Sequence, residues 1–148
     1  MKLEFSGAPE VPAARPRVWA RLLDPNFLAA SAPGVESVET VDPTHFTLTS
    51  GLGMGSVRLQ VKLDVALSNM VENERLTMSA RGKAAGSALD VVSAVRLEDT
   101  ASGGTRLNWS STSDVNGPVA NAGVLVEAAA RRLTEGFWTD FARRVGNG

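Results

Sequence analysis

The sequence predicts an α+β fold: a curved, seven-stranded antiparallel sheet wrapped around one long C-terminal helix, with two short helices after the first strand. Three observations predict it. Val57, Leu59, Val61, Leu63, Val65 and Leu67 alternate without a break against Arg58, Gln60, Lys62, Asp64, Ala66 and Ser68, which is the period of a strand with one wet face. After Asn116-Gly117-Pro118 the apolar spacing changes to three and four, through Val119, Ala122, Val126, Ala129, Leu133 and Phe137, opposite Arg131, Arg132 and Glu135. Between the opening strand and the other strands stand two proline-led helix starts, at Pro16 and at Asp24-Pro25.

Each element follows from its residues. Leu3 and Phe5 against Lys2, Glu4 and Ser6 give a half-buried strand to about Ala8, punctuated by Pro9 and Pro12. Pro16 opens a helix carrying Val18, Trp19, Leu22 and Leu23 on one side and Arg15, Arg17 and Arg21 on the other. Asp24 stops it and caps the next, whose apolar residues are Phe27 and Leu28 and whose end is near Ala30. Strands then follow at Val35 to Val41 and His45 to Thr49 around Asp42-Pro43, and at Arg75 to Gly82 after the long alternating run. The last two strands, Leu89 to Glu98 and Thr105 to Asp114, are joined through Ser102-Gly103-Gly104. On the terminal helix Asp140 and Arg144 fall on the side of Leu133, so burial is expected to fade beyond Phe137 or Phe141. With no repeat and no linker, residues 1–148 are expected to form a single domain.

Composition narrows function mainly by exclusion. The 15 Lys and Arg against 16 Asp and Glu give a formal charge of −1, so no positive field invites a nucleic acid backbone. The absence of cysteine excludes disulfides, zinc-thiolate sites and thiol nucleophiles, and is compatible with a cytoplasmic protein. Met1 to Phe5 lacks the apolar run of a secretory signal, and the weakly polar stretch Pro118 to Ala130 is interrupted by Asn121 and Glu127, so no transmembrane segment is expected.

The residues resemble a known family, the CoxG-like proteins, which are relatives of the G subunit of carbon monoxide dehydrogenase within the START/polyketide cyclase-like helix-grip (SRPBCC) superfamily. The likeness covers nearly the whole chain. It rests on the ordered set Arg17-Val18-Trp19-Ala20-Arg21-Leu22-Leu23-Asp24-Pro25, Pro33-Gly34-Val35-Glu36-Ser37, Gly53-Met54-Gly55-Ser56-Val57-Arg58 and Gly103-Gly104-Thr105-Arg106-Leu107, completed by the Ala-rich terminal helix. The resemblance implies a helix-grip fold with a hydrophobic cavity between sheet and helix. It also implies a binder without catalysis, able to hold a lipid or isoprenoid quinone and serving a molybdenum-containing carbon monoxide dehydrogenase in maturation or membrane attachment. No other cofactor is implied. Such a role places the protein in the cytoplasm, with peripheral contact at the inner face of the membrane.

Candidate site residues follow from the predicted faces. His45 is the sole histidine and alternates to the side opposite Phe46 and Leu48, and there is no tyrosine, so acid-base and nucleophilic catalysis lack candidates. Gly51 to Gly55 has glycine spacing without the Lys-Ser or Lys-Thr of a phosphate loop and precedes a strand, so it reads as a hairpin connection whose Leu52 and Met54 fold over a pocket or touch a partner. If Leu107 and Trp109 face inward, so do Ser111 and Ser113, and Ser93 shares the side of Val95 and Leu97; these hydroxyls bond backbone, water or a ligand head group. Opposite them Ala122, Leu125, Val126, Ala129 and Leu133 supply the helical wall, with Phe27 and Leu28 at the mouth. The small alanines serve either a void or close packing. The arginine strip on the first helix and Arg143-Arg144 read as solvated faces, the latter complementing the helix dipole. The competing functions are an enzyme of the polyketide cyclase or dehydratase type, which needs a convergent titratable pair in the pocket, and a ligand-free interaction module with a filled core.

Overall fold

The computed structural model describes residues 1–32, 34–54, 57–84 and 86–147, with side chains described except at 52–54, 57–59 and 84. In chain order the strands are β1 (Lys2–Gly7), β2 (Glu10–Val11), β3 (Val35–Asp42), β4 (His45–Met54), β5 (Val57–Val71), β6 (Arg75–Ala84), β7 (Ser87–Asp99) and β8 (Thr105–Asn116). The helices are α1 (Arg15–Leu22), α2 (Pro25–Ser31) and α3 (Val124–Asn147), with one turn of 3-10 helix at Pro118–Ala122.

Every strand pair is antiparallel, in the order β1-β8-β7-β6-β5-β4-β3, and β2 continues alongside β8 after β1. From β3 to β8 the chain is a meander of hairpins; α1 and α2 carry it from one edge of the sheet to the other. Strict alternation in β8 buries Leu107, Trp109, Ser111, Ser113 and Val115 and leaves the residues between them outside. Register shifts in β3–β4 and between Ser68 and Val71 of β5, beside Asn69 at φ 52°, give the sheet the bulges that bend it. Curvature lets one face meet a single helix.

The local signals act as their chemistry requires. Pro16 sits in the first turn of α1, which buries Val18, Trp19 and Leu22. Asp24 accepts hydrogen bonds from the amides of Asn26 at 3.0 Å and Phe27 at 3.3 Å, satisfying orphan donors at the start of α2.

Four expectations need correction. The two-residue strand β2 is additional, and its brevity leaves no alternation to detect. Gly51 to Met54 do not form a connection but extend β4 and pair with Val57 to Gln60 of β5. The terminal helix is not continuous from Val119: the 3-10 turn ends at Gly123, whose φ of 45° suits glycine, and α3 starts after it. Burial on α3 does not fade, for Trp138, Phe141, Ala142 and Val145 are all buried. The buried stripe drifts around the helix past Asp140. Arg144 is anchored inward, donating to the Phe27 carbonyl at 3.0 Å and to Ser31 Oγ at 2.8 Å.

Candidate functional site

Between the concave face of the sheet and the first half of α3 lies a cavity of about 240 Å³. It exists because small side chains face one another on several walls: Ala80 on β6, Ser93 on β7, Ser111 and Ser113 on β8, and Ala129 and Ala130 on α3. Interiors normally fill to crystal-like density, so a void of this size reflects side chains that stop short of meeting. Val61, Leu63 and Val65 of β5, Phe46 and Leu48 of β4 and Met78 of β6 line the sheet side; Leu28 of α2 and Val126 and Leu133 of α3 contribute to the other.

One end of the cavity is closed by aromatic packing. Trp109 stacks on Trp138 with ring centres 6.0 Å apart, and Trp138 meets Phe137 edge-on at 4.8 Å and Phe141 at 5.9 Å. Gly7 pairs with Trp109, and a side chain there would run into the indole at 2.7 Å. Toward the other end the lining passes to Val115, Leu89, Val35 and Val119. There the 3-10 turn is tied to the sheet by the Val119 amide, which donates to Ser87 Oγ at 2.7 Å.

The electrostatics of the cavity are simple. None of the described lining residues is Asp, Glu, Lys, Arg or His. Its polar atoms are hydroxyls, including Ser93 and Ser111, whose oxygens are 2.5 Å apart. The one resolved carboxylate shift lies elsewhere: Asp42, fully exposed at the β3–β4 turn, is held below the usual carboxylate range by its hydrogen bond to His45 and then by the Thr44 amide. His45 itself is exposed, 2.8 Å from Asp42. Among the described residues no group of three His, Cys, Asp or Glu is placed to hold a metal ion. No described helix is long and apolar enough to cross a membrane.

The predicted site residues divide. Leu28, Ser93, Ser111, Ser113, Val126, Ala129 and Leu133 line the cavity together. Trp109 is buried but stacks on Trp138 in the closed end, and Phe27 packs edge-on to Phe141 at 5.5 Å under the guanidinium groups of Arg144 and Arg21. Leu125 is 50% exposed, because the break at Gly123 resets the helical phase that would have turned it inward. Ala122 belongs to the 3-10 turn and packs with Val115 and Val126 outside the lining. The side chains of Leu52 and Met54 lie outside the described residues. Sequence reasoning missed the contributions of β4 to β6, Ala130 and Thr134. The alternation of β5 marks Val61, Leu63 and Val65 as inward, but nothing local separates a residue beside a void from one in a filled core.

Similarity to known proteins agrees with this geometry. The family model for the G subunit of carbon monoxide dehydrogenase, CoxG, matches residues 7–146. The chain belongs to the CoxG family. No curated protein matches its sequence. Among solved structures this CoxG family member is similar to a conserved protein from Geobacillus kaustophilus, at 18% identity over 98% of this chain and 96% of that one, with a TM-score of 0.86. A START superfamily protein from Mycobacterium smegmatis is 15% identical over 97% of both chains, TM-score 0.72. The Zhui aromatase/cyclase from a Streptomyces species is 14% identical over 98% of this chain and 94% of that one, TM-score 0.70. At these identities the likeness is one of fold: this member of the CoxG family has the START-like helix-grip architecture.

Proposed function

We propose that this protein, acting as one START-like domain over residues 1–148, carries a neutral, largely hydrocarbon molecule such as a lipid or isoprenoid quinone, and serves a carbon monoxide dehydrogenase-type molybdenum enzyme as an accessory subunit in maturation or membrane recruitment. A single observation carries the ligand reading: an internal space of about 240 Å³ whose described lining holds hydroxyls and hydrocarbon but no charge. Each methylene transferred from water into such a space gains about 0.8 kcal/mol, whereas an ion would lose its hydration and find no counter-charge. The partner and the place of action, cytoplasmic or at the inner face of the membrane, draw support from the family alone.

A cyclase-type reading asks for an acid-base pair in the cavity. The described lining has no titratable group to form one, so the carrier reading is favoured. Native mass spectrometry of freshly purified protein, followed by solvent extraction, tests it. The expected result is a neutral apolar molecule released on denaturation, and quinone or lipid binding by the emptied protein. Protein that is always empty and binds neither class in titration overturns the proposal. Capture of a molybdenum dehydrogenase on the immobilised protein checks the accessory role.

A further inference from the structure

Serine is an unusual choice for the buried face of a strand, where Val, Leu and aromatic residues fit best. Here Ser93, Ser111 and Ser113 are all buried, on adjacent strands, with Ser93 and Ser111 directly opposite in register. A hydroxyl has one proton to donate and two sites to accept with. The mutual bond at 2.5 Å uses one of the pair's two protons and leaves the other for a further acceptor. Ser113 Oγ has no hydrogen bond to protein among the described residues. Since no fully enclosed side-chain nitrogen or oxygen there lacks a partner, this oxygen opens onto the cavity.

The position of the three hydroxyls is informative. Along the inner face of β8, Trp109 comes first, stacked on Trp138, and then Ser111, Ser113 and Val115. The hydroxyl row therefore starts at the closed end and stops short of the end rimmed by Leu89 and Val119. With no cation in the described lining, an ionised carboxylate or phosphate seated there would lose its hydration without compensation, and the donors suit a neutral oxygen instead.

We infer that the cavity selects a molecule bearing an uncharged hydrogen-bond acceptor, a carbonyl or ether oxygen, and takes it polar end first. The acceptor rests on Ser93, Ser111 and Ser113 beside Trp138, and the hydrocarbon trails toward Leu89 and Val119. This rests on the carrier reading and adds to it the ligand's chemistry and direction.

The test uses the full chain with two probes: methyl undecyl ketone with an isotopically labelled carbonyl, and dodecane. Tryptophan fluorescence reads affinity, and infrared spectroscopy reads the carbonyl stretch. In the native protein the bound ketone is expected to show a stretch lowered by hydrogen bonding. In the Ser93→Ala/Ser111→Ala double variant its affinity falls about tenfold, the cost of an unpaired buried acceptor, and the stretch returns toward its value in hydrocarbon. Dodecane affinity stays as it was, and Ser113→Ala alone gives an intermediate change for the ketone. Should the double alanine variant fail to fold, Ser93→Cys/Ser111→Cys keeps the volume with a much weaker donor and gives the same readouts. A ketone affinity and carbonyl stretch unmoved by these changes overturn the inference while leaving the carrier reading intact. If neither probe binds the native protein, the carrier reading and this inference fall together.

Discussion

The two halves of α3 face the same sheet and do opposite things. From Trp138 to Val145 the helix is wedged against β1, β2, α1 and α2, with Trp138, Phe141, Ala142 and Val145 buried and the aromatic rings of Trp109, Phe137 and Phe27 packed around them. From Val126 to Thr134 it presents Ala129 and Ala130 to serines and Ala80 across a void. Side-chain volume makes the difference. Large rings at one end fix the distance between helix and sheet, and small residues at the other cannot span that same distance. The packed end thereby holds open the empty one, and stability and ligand capacity belong to separate stretches of one helix.

Truncation at the packed end is the strongest challenge to this division. Trp138→Ala removes a ring that contacts Trp109, Phe137 and Phe141, and is expected to lower unfolding free energy by about 3–5 kcal/mol in denaturant titration. A loss below about 1 kcal/mol would mean the aromatic end is not what sets the spacing. Filling the empty end should behave in the reverse way. Ala129→Leu places methyl groups into the void, so stability is expected to change by less than about 1 kcal/mol while affinity for an apolar probe falls at least tenfold. If stability collapses and binding persists, the space is elsewhere.

A smaller effect tests how α2, which lends Leu28 and Ala32 to the cavity, is held to the packed end. Arg144→Met keeps the apolar stem but removes the bonds to the Phe27 carbonyl and Ser31 Oγ. The expected cost is about 1–2 kcal/mol, with faster amide exchange across α2 and little change in β8. The smallest change belongs to Asp42, remote from both ends. Its carboxyl is held below its usual range by His45 and Thr44, so its contribution is present above the unfolded-state value and lost as pH falls through the folded-state one. Because the group is fully exposed, Asp42→Asn should leave neutral-pH unfolding nearly unchanged and slightly flatten the acid limb of the stability profile. Probe affinity should be flat with pH in both proteins, since the described cavity lining has nothing to titrate.

Much of the architecture was legible in local chemistry. Asp24 followed by Pro25 announces a capped helix, and the run from Val57 to Leu67 admits only a strand. Seven of the proposed site residues meet at the cavity because a two-residue period tells which side chains share a face. The failures were failures of phase and distance. Leu125 was misplaced because one glycine at φ 45° resets the helix, and Trp109 because a ring facing inward can meet another ring instead of a space. The expected fading of α3 also assumed a straight stripe, whereas α1, α2 and the β1–β2 edge cover the flank to which the stripe drifts.

Sequence alone determined the strands, the helices and the side each residue shows, because alternation and helical period are properties of neighbouring residues. The cavity and its row of hydroxyls were decided only by tertiary structure. Ala80, Ser111 and Ala129 are far apart along the chain, and a void is what remains when their volumes, brought together by the fold, fail to sum to the distance that Trp138 and Phe141 impose.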